Sequence, residues 1–223
     1  MTAKLLSLFL PAVFFLAGCA TPPAAVPLPP HRAVVWTSEW TPIFNGRDLS
    51  NWTVTDFYAR GAVTVQSNQI RMAPGALLTG INWTNGPLPR SGYEISLDAM
   101  KTGGSDFFCG LTFPVNDAFC SLIVGGWGGG VVGLSSLNDM DASENETTKQ
   151  IYFDTGRWYH IRLRVTAAKI QAWIDDDKII DANIAGRKIS LRPGPIEFSK
   201  PLGIATYQTG AAIRDIQLRL TPP

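Results

Sequence analysis

Period-two alternation, broken every few residues by glycine or proline, is the feature that most narrows what this chain can fold into. In YEISLDAM, Tyr93, Ile95, Leu97 and Ala99 fall on one side and Glu94, Ser96 and Asp98 on the other. Successive side chains of a strand point to opposite faces, so this stretch predicts a strand with one buried side. SDFFCGLTF repeats the pattern less cleanly, with Phe107, Cys109, Leu111 and Phe113 expected inward and Asp106, Gly110 and Thr112 outward. RWYHIRLRV sends Tyr159, Ile161, Leu163 and Val165 inward and His160, Arg162 and Arg164 outward. KIQAWID follows after a short break, DDDK turns the chain into IIDANI, and GIATYQTG with AAIRDIQLRL reads as two closing strands. No stretch beyond the N-terminus holds a long 3.6-residue apolar period. The expected class is all-β, a two-sheet sandwich.

At 223 residues the chain has the length of one domain with a real core. Its formal net charge is +1 and no block of like charge occurs, which argues against a nucleic-acid partner. The opening MTAKLLSLFLPAVFFLAGC has a basic residue, an apolar run and small residues before Cys19. That run is short for a membrane span and suits a signal-peptide core. Its end, LAGC, resembles the bacterial lipobox, which implies cleavage before Cys19 and lipidation of its thiol. The implied partner is the membrane through Cys19, in a bacterial cell envelope. Ala20 after the cysteine favours the outer membrane. An ordinary signal peptide with a chance cysteine is the alternative. Residues 1–18 are thus read as signal peptide and 19–35 as lipidated cysteine and Pro-rich tether, with the folded domain at 36–221; His31 falls in the tether.

Cys109 and Cys120 flank GLTFPVNDAF, where Pro114–Asp117 supplies a turn. A hairpin would put the two thiols on neighbouring strands, where they either pair or remain free. IVGGWGGGVVG lacks the Gly-Lys-Ser/Thr and the following helix of a phosphate cradle. Glycines in a strand mark a bulge or a close approach, and they leave Trp127 without bulky neighbours. Its indole either stacks on a sugar ring or folds back into the core.

Both ends of the chain resemble one family. FNGRDLSNWTV (44–54) is similar to the opening signature of the 3-keto-disaccharide hydrolase domain, and GIATYQTGAAIRDIQLRL is similar to its last two strands. GRWYHIRLRV with KIQAWIDDDKII resembles the Trp-led strand and hairpin of concanavalin A-like sandwiches. The resemblance implies a concanavalin A-like jelly roll and hydrolysis of oxidised glycosides. It also exposes departures. The family's Asn-Ser-Gly corresponds here to Phe108-Cys109-Gly110, its Glu and Gln on the next strand to Cys120 and Leu122, and its Gln-Asp-His to Ala205-Thr206-Tyr207. A family Glu is matched by the shorter Asp98.

A 3-keto sugar acidifies the hydrogen on C2. One base and a positive charge or donors at the ketone oxygen then suffice, where ordinary glycosidases need two carboxylates. Glu94, Asp98 and Asp106, on the polar sides of consecutive strands, are the candidates for that base or for an oxygen-ligand site for a divalent metal such as Ca²⁺; a solvated outer face is the competing reading. LNDMDASENETTK offers Asp139, Asp141, Glu144, Asn145 and Glu146, either for hydroxyls or Ca²⁺ or as a polar connection, without the spacing of an EF-hand. Among these, Glu144 and Asn145 join Trp127 as candidate sugar contacts. His160 reads as a surface residue rather than the base. Two functions stand open: a membrane-anchored hydrolase or lyase-type glycosidase on 3-keto-glycosides, and a noncatalytic carbohydrate-binding lipoprotein using the same groove.

Overall fold

The structure, a computed structural model, describes residues 34–222. The expected signal peptide, Cys19, His31 and the tether as far as residue 33 lie outside the described residues. The described chain forms two antiparallel sheets. The eight-stranded sheet runs β13 (Asp177–Asn183), β12 (Lys169–Ile174), β11 (Trp158–Val165), β6 (Tyr93–Gly103), β15 (Gly210–Leu220), β4 (Gln69–Met72) and β3 (Val63–Gln66), with β1 (Thr41–Pro42) paired to β15. The seven-stranded sheet runs β10 (Lys149–Gln150), β9 (Val131–Ser135), β8 (Ala118–Gly126), β7 (Cys109–Val115), β14 (Gly203–Tyr207), β5 (Leu78–Trp83) and β2 (Trp52–Val54). This is the all-β two-sheet sandwich expected from the alternation, with the jelly-roll architecture that the resemblance implies.

The core lies between the sheets and is filled by the residues the alternation selects. Tyr93, Ile95, Leu97 and Ala99 of β6, Tyr159, Ile161, Leu163 and Val165 of β11, and Leu111 and Phe113 of β7 all join one buried cluster. Each fully buried aliphatic or aromatic side chain of this kind contributes about 1.5–3 kcal/mol relative to exposure. Phe108, Phe153 and Tyr159 meet edge-on or tilted, with ring centroids 5.0–6.0 Å apart.

Two expectations are corrected and one open alternative is decided. Phe107 does not enter the core; it packs on the outer side of the seven-stranded sheet, beside Phe57, Leu78 and Ala205. Its neighbour Phe108 takes the core place, because the regular strand begins only at Cys109 and the alternation has no hold on the residues before it. The hairpin of β7 and β8 forms, but Cys120 faces Phe113 and Cys109 faces Val124, so the register keeps the thiols apart and both are free. Burial pushes each thiol up to about 12. Finally, consecutive strands β6 and β7 do not pair: β6 lies in one sheet and β7 in the other, and the connection between them crosses the sandwich. That crossing decides where the acidic candidates end up.

Candidate functional site

The outward side of the seven-stranded sheet is built from small residues. Gly80 on β5, Ala205 on β14 and Gly110 on β7 follow one another across the register, and Ile123 on β8 and Gly133 on β9 continue the row. Without side chains in the way, neighbouring segments settle directly on the sheet. A Cβ on Gly133 would meet the backbone of Ala142 at 2.7 Å, so only glycine lets the loop after β9 lie there. A Cβ on Gly203 would likewise meet the backbone of Ser199 at 2.5 Å, beneath the 3-10 helix Pro195–Ser199.

Between these two covers a pocket of about 360 Å³ remains open, within the range usual for small-ligand sites. Its polar groups are Ser121 on β8, Ser135 on β9, Asp106 in the crossover, and Arg192. Its apolar groups include Leu77, Leu78, Phe107, Ile123, Ile196 and Tyr207. Trp127 stands at the turn between β8 and β9 with φ at 48°, followed by Gly128 at 89°, a left-handed conformation that glycine tolerates readily. Asp106 holds this turn. One carboxylate oxygen accepts the Phe107 N–H at 2.8 Å and the other the Gly128 N–H at 3.3 Å. The indole is 41% exposed and lines the pocket, so Trp127 does not fold back into the core. The Arg192 guanidinium lies 5.8 Å from its ring centre, within reach of a cation–π interaction. Arg192 is itself paired at 3.0 Å with Asp141, which also accepts hydrogen bonds from Ser135 and Ser136 at 2.9 and 3.2 Å.

The remaining acidic candidates are elsewhere. Glu94 and Asp98 project from the outer face of the eight-stranded sheet, because their alternation partners Tyr93, Ile95 and Leu97 occupy the core. Glu94 is 3% exposed and faces Arg219 at 2.6 Å, Arg162 at 3.5 Å and Arg164 at 4.0 Å. Asp98 accepts from Arg214 at 3.1 Å and meets His160 Nδ1 at 2.8 Å, while His160 Nε2 lies 3.3 Å from Ser96. Arg162, Arg214 and Arg219 stack in turn on Trp173, Trp158 and Trp40. The structure therefore does not bring Glu94 and Asp98 to Asp106, and the expected three-acid base or metal site is not assembled. Among the described residues no three His, Cys, Asp or Glu side chains group to hold a metal ion.

Nor does the acidic loop enter the pocket. The Asn145 side-chain amide donates to the carbonyls of Leu134, Asp141 and Met140 at 2.7, 2.8 and 3.0 Å, and its oxygen accepts from Thr147. Asn145 thus fastens its own loop and has no donor left for a ligand. The exposed Glu144 accepts the Asp141 N–H at 3.3 Å. Asp139 pairs with Lys188 and Glu146 with Arg187, clipping the loop to the segment that carries Arg192. Two of the acidic-loop candidates are thereby fixing groups one step behind the pocket. Arg192, Ser121 and Ser135 escaped sequence reasoning. For the serines the signal was parity: they alternate with the buried Cys120, Leu122 and Leu134. For Arg192, in an irregular RPGP segment, there was none.

A family model described as a 3-keto-alpha-glucoside-1,2-lyase-like domain matches residues 39–219. The chain belongs to this family. A search of curated proteins found no match. Among solved structures, the chain is similar to a galectin-like-fold protein from Bacillus subtilis, with a TM-score of 0.57, 9% identity, and 82% of this chain and 96% of that one covered. It is also similar to the carbohydrate-binding module CBM66 from Bacillus subtilis, with a TM-score of 0.53, 12% identity and coverage of 77% and 97%. The Crh5 transglycosylase gives a TM-score of 0.55, 10% identity and coverage of 88% and 89%. At these identities the likeness concerns the fold.

Proposed function

We propose that this pocket binds a saccharide and that the chain is a hydrolase of lyase type acting on 3-keto-glycosides, tethered to the bacterial envelope through lipidated Cys19. The observation that carries this reading is that one carboxylate and one guanidinium line a pocket rimmed by an exposed indole: Asp106, Arg192 and Trp127. Two opposed carboxylates, which an ordinary glycosidase requires, are not among its lining residues. Elimination beside a ketone needs only one base. Each Asp106 oxygen takes one backbone N–H and keeps a second lone pair. The carboxylate removes the C2 proton, and the C–H electrons form the C2–C3 enolate, whose oxygen is met by the Arg192 charge. Collapse of the enolate restores the ketone, forms the C1–C2 double bond and expels the C1 oxygen with a proton from solvent. Water then adds across C1–C2, and the sum is hydrolysis. The Trp127 face stacks against the C–H side of the ring and holds it in register. The family match over 39–219 supports this class of reaction.

The test is release of free sugar from 3-keto-glucosides or 3-keto-trehalose by the purified chain. Asp106→Asn should lower turnover by roughly 10²–10⁴-fold, the usual weight of a general base. Because its amide leaves one acceptor for the Phe107 and Gly128 N–H groups, glycoside affinity is measured beside turnover to separate a lost base from a loosened turn. Full turnover by Asp106→Asn would refute the assignment. A noncatalytic binder is the second reading, favoured by the service Asp106 already gives to the Trp127 turn. Binding that is lost in Trp127→Ala, with no release by the native chain, would establish it. Mass spectrometry of the N-terminus and envelope fractionation of Cys19→Ser test the anchor; an unmodified, uncleaved N-terminus would remove it.

A further inference from the structure

The pocket is divided in chemistry from end to end. Ser121 and Ser135 face each other across β8 and β9, with Arg192 beside them. Leu78 and Tyr207 face each other across β5 and β14, with Leu77 and Ile196 beside them. Strand order β9-β8-β7-β14-β5 places β7 between the two groups. At about 4.8 Å per strand, the distance from β8 to β5 is about 14 Å, more than one sugar ring spans. A ligand made of sugar throughout would strand most of its hydroxyls at the β5 end. Leu77, Leu78, Phe107 and Ile196 offer no side-chain donor or acceptor there, and the Tyr207 hydroxyl alone serves that end among these lining residues.

The apolar end also continues outward. In a 3-10 helix residues three apart eclipse, so Phe198 stands on the side of Pro195, a pocket residue, while Ile196 and Ser199 face the sheet. Phe198 is 62% exposed and Leu77 41%. Phe57 packs in the same small cluster as Leu78, Ile196, Phe107 and Tyr207. Large apolar side chains left open beside an apolar pocket end form a continuation of it.

We propose that the ligand is a glycoside with an apolar aglycone, an aryl or alkyl group, and not a disaccharide. The sugar ring lies at the Ser121, Ser135, Arg192 and Trp127 end. The aglycone lies over β14 and β5 against Leu77, Leu78, Ile196 and Tyr207, and a longer one continues toward Phe198. This inference rests on the saccharide reading of the same pocket.

Calorimetric titration of the full chain in a zwitterionic, non-glycoside detergent tests it, with methyl and phenyl α-glucoside, their 3-keto forms, 3-keto-trehalose and free phenol as probes. The phenyl glycosides should bind at least about tenfold more tightly than the methyl glycosides and the disaccharide, as expected when most of a phenyl ring leaves water. In Leu77→Ser and Ile196→Ser the phenyl-to-methyl ratio should fall toward one. In Arg192→Gln both affinities should fall by a similar factor, leaving the ratio in place. Equal affinity for methyl and phenyl glycosides, or tighter binding of 3-keto-trehalose, would overturn the aglycone proposal while leaving the saccharide site standing. Phenol binding as tightly as phenyl glucoside, or no binding by any glycoside, would overturn both.

Discussion

Replacing Glu94 with Gln separates a structural acid from a catalytic one, and its cost follows from the contacts. The carboxylate is 3% exposed and lies under Arg162, Arg164 and Arg219. Removing one partner of a fully buried ion pair costs about 3–5 kcal/mol, because the charge left behind is desolvated and alone, whereas an exposed pair is worth about 0–1 kcal/mol. Glu94 sits between these limits. Its own side chain is 4% accessible, but those of the arginines are 31%, 35% and 34%, so the guanidiniums can recover water once the acid is gone. A loss of about 2–3 kcal/mol results, further supported by the amide N–H₂ of Gln, which turns a donor toward three donors. For a domain of this size about 1 kcal/mol lowers Tm by about 2–4 °C, so differential scanning calorimetry should show a fall of about 5–10 °C. Glycoside affinity of the folded variant should match the native chain. An unchanged Tm together with lost ligand binding or turnover would refute the argument and return Glu94 to the site.

Gly133→Ala should destabilise by about 1–3 kcal/mol, the usual cost of overpacking, because its new methyl meets backbone at Ala142. It should also open residues 138–148 to limited proteolysis; a native cleavage pattern and Tm would show that the loop does not rest on that glycine. Cys109 and Cys120 should resist iodoacetamide at pH 8 in the native chain, and both should react on unfolding without reductant; a chain that stays unlabelled after unfolding would hold a disulfide. Burial raises both thiols to about 12. Their neutral forms therefore favour folding fully below the ordinary thiol range, and that contribution fades as pH rises toward 12. Asp181 runs the other way. Hydrogen bonds from Lys178 and then Lys169 lower it to about 2, so its contribution is present above the usual carboxylate range and is lost as pH falls through 2. Lys178→Ala should move its NMR titration upward; an unmoved midpoint would assign the shift elsewhere.

The strands were legible because alternation is a local signal. Tyr93–Ala99 and Tyr159–Val165 send the expected side chains into the core, and the turn after Pro114 closes the expected hairpin. Sheet membership was not legible. The chain between Gly103 and Cys109 reads as an ordinary connection, yet it carries Asp106 from the sheet of Glu94 and Asp98 to the opposite one. Carboxylates a few residues apart in sequence were therefore expected together and are found on opposite outer faces. Trp127 was legible because its glycine neighbours act locally, through a left-handed turn that needs no distant partner except Asp106. Asn145 was misread for the reverse reason: its character depends on three carbonyls, two of them in its own loop and one on β9.

What distinguishes the two outer faces is side-chain size, and that difference determines which can host a ligand. On the eight-stranded sheet, Arg162, Arg164, Arg214 and Arg219 are long enough to lie across their acids, and Arg162, Arg214 and Arg219 stack on Trp173, Trp158 and Trp40, so the face fills its own space. Its ionic groups find partners within the layer, and a ligand would have to break those pairs to enter. On the seven-stranded sheet, Gly80, Gly110, Gly133, Gly203 and Ala205 cannot fill the space above them. Other segments must do so, and the loop after β9 and the 3-10 helix cover the two sides without meeting over Ser121 and Ile123. The pocket is the space that those covers leave. Its polar end is set by the loop, through Asp141 holding Arg192, and its apolar end by the helix, through Ile196. Lengthening either cover would change one end of the pocket without disturbing the other.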